Sequence, residues 1–217
     1  MLDAGTGMYR AAQYLRTPEL DIFLTHAHLD HIIGLTYLFS VNQGHPLRRI
    51  TVHAEPLVIQ AIDEHLFAEA LFPKRPPFES RPLADTVALA GGGTLTHFAL
   101  EHRGGSVGFR LDWPGHSMAY VSDTSAAVDA PYVGKLHGVD LLIHECYFGD
   151  AQAKLAVKLG HTHTSLAAEV ARQAGVKRLV LVHLDPLSTA DDPIGVEAAR
   201  KIFPNTDLGE DRMEIEF

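Results

Sequence analysis

Apolar positions along this chain fall in short runs broken by glycine, proline and polar clusters, and each run implies a particular element. Residues 20–24 are mostly apolar and too short for a helix, so they read as a buried strand. A short helix over 8–16, stopped by Pro18, precedes that strand, and a helix over 32–39 follows it after a polar loop. The next strand is 49–54, with Ile50 and Val52 on one face. Pro56 suits a first helical position and opens an amphipathic helix over 56–71. Pro73, Pro76, Pro77 and Pro82 then predict an irregular loop, because each removes a backbone donor.

From residue 87 to 122 the pattern becomes strand-rich, with strands over 94–101, 107–112 and 118–122 and a turn at Trp113-Pro114-Gly115-His116. Helix and strand alternate afterwards. A short helix over 131–137 precedes a buried strand over 139–144. A helix over 164–174 has Gly175 just past its end, where a left-handed residue commonly terminates a helix. A strand over 179–183 follows, and then Asp192-Pro193 as cap and first residue of a helix reaching Phe203. A strand over 213–217 closes the chain. Neither a linker nor a low-complexity tract interrupts it, so a single domain over 1–217 is expected.

Composition narrows the function. The chain is 46% hydrophobic and 21% charged, ordinary values for a globular protein. Its net charge of −9 argues against a broad electrostatic footprint for nucleic acid or an anionic membrane. A small anionic substrate stays open, since bound metal ions invert the local charge. The single cysteine, Cys146, cannot form an internal disulfide, so a reducing, cytoplasmic setting is expected. No apolar run approaches the ~20 residues needed to cross a bilayer, and no basic segment leads into an apolar core as in an export signal.

The chemistry concentrates in Thr25-His26-Ala27-His28-Leu29-Asp30-His31. His26 and His28, two apart on extended backbone, point the same way and can close on one metal ion. Asp30 and His31, displaced toward the helix start, can reach a second. The bland alternative is a histidine-rich surface loop, which a lone histidine would favour and this strand–loop–helix setting does not. The segment His26-Ala27-His28-Leu29-Asp30-His31 resembles the signature of the metallo-β-lactamase fold superfamily of metal-dependent hydrolases. The resemblance implies a four-layer αββα sandwich. It also implies an inner hairpin ahead of Leu2-Asp3-Ala4-Gly5, which this sequence does not contain; either the start lies upstream or the first strands are missing. In that family Asp3 would sit under the metal loop and orient it.

The same resemblance implies a histidine, an aspartate and a histidine at later strand ends. His102, Asp123 and His183 stand just past apolar strands in that order. It therefore implies two divalent ions: His26, His28 and His102 on one, Asp30, His31 and His183 on the other, and Asp123 bridging. Imidazole and carboxylate ligands suit zinc, with manganese or iron compatible. Around His102 stands Arg103-Gly104-Gly105-Ser106-Val107-Gly108-Phe109-Arg110, which is similar to the ribonuclease Z-like and small phosphodiesterase branch. That branch pairs a glutamate with a proton-donating histidine. Glu145, in Leu141-Leu142-Ile143-His144-Glu145, matches the first. His161, in Gly160-His161-Thr162-His163-Thr164, matches the second by its spacing to Ala167, Ala168, Ala171 and Ala174; His163 is the competing register.

The expected function is a metal-dependent phosphodiesterase using a metal-bridging hydroxide, with Asp30, Glu145 and His161 in catalytic roles and a small anionic ester as substrate. The alternatives are a carboxylic or sulfuric ester hydrolase with the same metal site, or a catalytically silent metal-binding protein. A long basic arm of the kind that clamps transfer RNA is absent, so tRNA is disfavoured as a partner, as is a membrane; a homodimer is left open. His45, His53, His65, His97, His116 and His137 read as surface or strand-end residues, and Cys146 as buried filler.

Overall fold

A computed structural model describes all residues, 1–217. The chain divides into two compact units, Met1–Ala84 and Asp85–Phe217.

The first unit is built on three parallel strands, β1 (Glu19–Phe23), β2 (Arg49–Ala54) and β3 (Glu79–Pro82), in that spatial order. Leu2 adds a parallel bridge to Phe23. Parallel neighbours need crossovers, and helical segments supply them. After β1 come α1 (Leu29–Ile32), a 3₁₀ segment (Ile33–Tyr37) and α2 (Leu38–Gly44); after β2 comes α3 (Pro56–Ala61), which runs into a π-turn over Ile62–Leu66. Ile22, Leu24, Leu35, Leu38, Val52 and Ile62 form a core with essentially no solvent exposure. Each such side chain contributes roughly 1.5–3 kcal/mol by leaving water. Gly34 is obligatory there. A Cβ on it would overlap the Gly5 and Ala4 carbonyl oxygens and the Met8 side chain, because the helical stretch after β1 presses directly on the N-terminal segment. The backbone seals that crossing: Gly34 N–H donates to Ala4 O (2.7 Å) and Ala4 N–H to His31 O (2.8 Å).

The second unit holds a seven-stranded sheet. β4 (Thr86–Leu89), β5 (Gly93–Leu100), β6 (Ser106–Trp113) and β7 (His116–Val121) form an antiparallel meander. β8 (Leu141–Glu145), β9 (Arg178–Val182) and β10 (Thr206–Leu208) continue it in parallel from β7. Between β8 and β9 run α4 (Ala153–Leu159) and α5 (Thr164–Ala174); α6 (Val196–Ile202) joins β9 to β10. Alanines 167, 168, 171 and 174 are all buried on α5, and their small size lets that helix lie close to its neighbours. Gly160 and Gly175 end α4 and α5 in the left-handed conformation (φ 84° and 62°), and Gly175 stands where the sequence puts it.

Several expected elements are corrected. The helix over 8–16 is a 3₁₀ segment over Thr6–Gln13. The helix from Pro56 stops at Leu66 rather than Leu71, after the π-turn widens the coil. The proline-rich stretch is not wholly irregular. Its last four residues form β3, which pairs only with β2, and Pro82 ends this edge strand where a missing N–H is tolerated. The last helix begins at Val196, not Pro193: the Asp192 carboxylate accepts from the Gly195 and Val196 N–H groups, and Gly195 at φ 71° cannot start a right-handed coil. Residues 213–217 form no strand. Thr206–Leu208 takes the edge beside β9 instead, and Gly209 N–H continues the pairing to Leu181 O (2.8 Å). Helix α4 has no counterpart in the sequence reading, although Gly160 marks its end as Gly175 marks that of α5.

Candidate metal centre

In the first unit, β1 delivers the chain to an extended loop over 24–28, and α1 begins at Leu29. His26, His28, Asp30 and His31 therefore come from one short path. The His26 ring centroid lies 4.6 Å from that of His28 and 4.2 Å from that of His31. Asp30 Oδ2 is 3.3 Å from His31 Nε2. His26 and His31 are buried; His28 and Asp30 are exposed.

Asp3 organises this loop. Its Oδ1 accepts from Thr25 N–H (2.8 Å), and its Oδ2 accepts from the Thr25 hydroxyl (3.0 Å) and lies 2.9 Å from His31 Nδ1. An ionised carboxylate only accepts, so His31 carries its proton on Nδ1. The Thr25 hydroxyl, having donated to Asp3, accepts from His26 Nδ1 at 2.9 Å. One carboxylate thus sets two tautomers and leaves both Nε2 atoms without a proton.

The second unit carries donors of its own. His102, just past β5, donates from Nδ1 to Gly160 O (2.8 Å), which leaves Nε2 free of that proton and 3.7 Å from Asp123 Oδ2. His183 Nε2 is 3.4 Å from the other oxygen, Asp123 Oδ1. Asp123 is buried and follows β7, with one oxygen facing each imidazole. His183 leaves β9 at φ 58°, a left-handed conformation that costs a non-glycine residue about 1–2 kcal/mol. Strain of that kind concentrates at functional sites.

Beside them, the fully buried Glu145 accepts from three backbone N–H groups: Thr162 (2.8 Å) and Thr124 (3.2 Å) at Oε1, Tyr147 (3.1 Å) at Oε2. His161 Nδ1 faces Oε1 at 3.5 Å. Donor atoms of Glu145, His161 and His183 all lie within 4.8 Å of one another. His163 is engaged elsewhere: its Nδ1 donates to Asp150 Oδ1 (2.8 Å) at the start of α5. Sequence reasoning missed Tyr147. Its ring stacks on His161 (centroids 5.1 Å apart, 29° between planes) and approaches His183 (5.6 Å). A lone tyrosine in a loop carries no periodic signal, so nothing in the sequence marks it.

The remaining histidines and the cysteine sort by burial. His53 is buried near the end of β2; it donates to Asp21 Oδ1 (3.0 Å) and stacks on Phe23. His144 is fully buried, with Nδ1 donating to Glu145 O (2.7 Å), and burial pushes its imidazole below the usual histidine range. Cys146 is buried, its thiol pushed up by desolvation, far from the thiolate a nucleophile requires.

The β-lactamase superfamily domain profile matches residues 1–184. This chain belongs to the metallo-β-lactamase superfamily. Ribonuclease Z from Synechococcus sp. (strain CC9605) is 32% identical over 154 residues, covering 68% of this chain and 44% of the relative. The chain spans 33–44% of the length of the Synechococcus and Prochlorococcus ribonuclease Z sequences it matches. Two solved structures share the fold. The metallo-β-lactamase fold protein YhfI from Bacillus subtilis has a TM-score of 0.76 at 20% identity, covering 96% of this chain and 83% of that one. A diphosphatase from the PhnP family has a TM-score of 0.74 at 19% identity, covering 100% and 78%. As a metallo-β-lactamase family member, the chain falls in a superfamily of metal-dependent hydrolases, and its His/Asp donors are of a type able to hold metal. No helix is long and apolar enough to cross a membrane.

Proposed function

We propose that this chain is a dinuclear metal-dependent phosphodiesterase acting on a small anionic phosphodiester. The single observation that carries this reading is the Asp123 carboxylate, directing one oxygen to His102 and the other to His183, beside the buried Glu145 and the His161 ring it faces. In this reading His26, His28 and His102 hold one ion, Asp30, His31 and His183 hold a second, and Asp123 bridges. Zinc suits these ligands, with manganese or iron as substitutes. Divalent ions bound there would supply Lewis acidity to the phosphoryl oxygens and lower the pKa of water.

The chain's own residues do the rest. Asp3 keeps the His26 and His31 Nε2 atoms unprotonated. Glu145, fixed by three N–H donors, faces His161 Nδ1 and orients the ring, so that His161 Nε2–H can protonate the departing alkoxide. Asp30 is the exposed carboxylate of the loop and serves as both ligand and catalytic residue. A relative named ribonuclease Z supports phosphodiester chemistry. The net charge of −9 favours the smaller substrate. The lone Cys146 suits a reducing, cytoplasmic compartment.

The test is metal content by elemental analysis together with turnover of bis(p-nitrophenyl) phosphate against p-nitrophenyl acetate and sulfate, and cleavage of a precursor tRNA 3′ trailer. Two ions per chain and a preference for the phosphodiester are expected. Faster acetate or sulfate hydrolysis would replace the reading with the ester hydrolase, and trailer cleavage rivalling the small diester would replace it with tRNA processing. Full metal with no turnover would leave a binding protein.

A further inference from the structure

An open pocket of about 600 Å³ lies wholly within the first unit, and its wall includes two residues of the histidine motif, Ala27 and Leu29. Ile32, Ile33, Leu66 and Phe72 extend that wall, and only Thr36 and His65 bring polar side chains to it. Leu29 is 65% exposed and Leu71, also in the wall, 72% exposed. Large aliphatic side chains left in water around a concavity mark a surface built to be covered. The volume suits one organic group of drug-like size.

What covers it follows from continuity along the chain. Ala27 and Leu29 alternate with His26, His28 and Asp30, and consecutive Cα atoms are only about 3.8 Å apart. The exposed Leu29 stands between the exposed His28 and Asp30, so the pocket wall and these two donors share one short stretch of backbone. A phosphodiester has two organic substituents, and one of them can lie over Leu29 into the pocket while the phosphate stays at the motif. No lysine or arginine lines the wall, so a second phosphate or a polynucleotide strand would find no counter-charge there. We infer that this pocket is the subsite for an uncharged apolar substituent, and that the substrate class is a phosphodiester bearing an alkyl or aryl group rather than a nucleotide on that side. This rests on the phosphodiesterase reading above for its activity arm, though not for its binding arm.

The experiment uses the metal-loaded protein and two series: alkyl p-nitrophenyl phosphates with methyl, butyl and hexyl chains, and the matching non-hydrolysable dialkyl phosphinates titrated by calorimetry. Full burial of a methylene gives about a fourfold gain, so methyl to hexyl should raise affinity and kcat/KM by roughly 10²-fold or more. Leu71→Asp changes an exposed residue outside the ligand motif. It should flatten both series. Ala61→Phe, which fills the pocket from α3, should do the same for the hexyl member. Length-independent binding, or an unaltered series in both variants, overturns the proposal. Length-dependent binding without turnover would sink the phosphodiesterase reading and keep the subsite. A dimer at working concentration that Leu71→Asp dissociates, with length-independent binding, would assign the pocket to a second copy of the chain and overturn the subsite.

Discussion

Replacing Asp3 with asparagine tests how the histidine loop is prepared, because it keeps the shape and turns one acceptor oxygen into a donor. The carboxylate accepts from Thr25 N–H, the Thr25 hydroxyl and His31 Nδ1 at 2.8, 3.0 and 2.9 Å. If the asparagine oxygen keeps Thr25 N–H, its NH₂ faces the threonine oxygen and His31 Nδ1. Both must then become acceptors. The Thr25 hydroxyl turns to donate to His26 Nδ1, and His26 and His31 each move a proton to Nε2. The two nitrogens proposed as metal ligands are then blocked together. Losing one such outer partner typically costs 10–100-fold in metal affinity. Two imidazoles are affected here, so a loss near ~100-fold, about 2.7 kcal/mol, is expected. Zinc competition against a chelator at neutral pH reads the affinity, and ¹⁵N shifts of the imidazole nitrogens in the metal-free protein read the tautomers directly. Asp3→Asn binding zinc within threefold of the parent, with His26 and His31 still protonated on Nδ1, would refute the reasoning.

His161→Ala should slow an alkyl phosphodiester by ~10²–10⁴-fold and a p-nitrophenyl one far less, since only the alkoxide needs a proton. Glu145→Gln should repeat that selectivity more weakly; His163→Ala, whose ring belongs to Asp150, should leave both rates alone, and equal losses on both substrates for His161→Ala would remove it as the acid. Gly34→Ala should destabilise the fold by more than ~2 kcal/mol in urea, because its Cβ meets backbone that cannot yield; a change under 0.5 kcal/mol, on the scale of neutral surface substitutions, would contradict the packing. His144 is held neutral by burial, so its folded pKa lies below the unfolded value near 6.5, and the unfolded chain binds the extra proton. Its contribution is therefore complete above about pH 6.5 and falls by up to ~1.4 kcal/mol per pH unit below that until the folded pKa is reached. His144→Gln should flatten urea midpoints between pH 7 and 5, and an unchanged slope would show that other groups set it.

Local signals were enough where one element satisfied its own backbone. The strand over Arg49–Ala54 and the helix over Thr164–Ala174 with its left-handed Gly175 stand at the residues their periodicity predicts, because β-branching, alanine spacing and a C-terminal glycine all act within a few residues. The histidine motif is legible for the same reason: its donors are close in sequence, so spacing alone implies shared ligation. Elements that depend on a distant partner were not legible. Residues 213–217 have the alternation of a strand, yet β9 is already paired by Thr206–Leu208, and an edge has room for one neighbour. Pro82 closes a strand because β2 lies on one side of it and nothing on the other. The roles of individual histidines divide in the same way. His161 and His163 are nearly equivalent as sequence, two residues apart with threonines around them. Only the fold brings one to Glu145 and the other to Asp150, since a ring nitrogen's partner is fixed by chain segments that meet across the sheet.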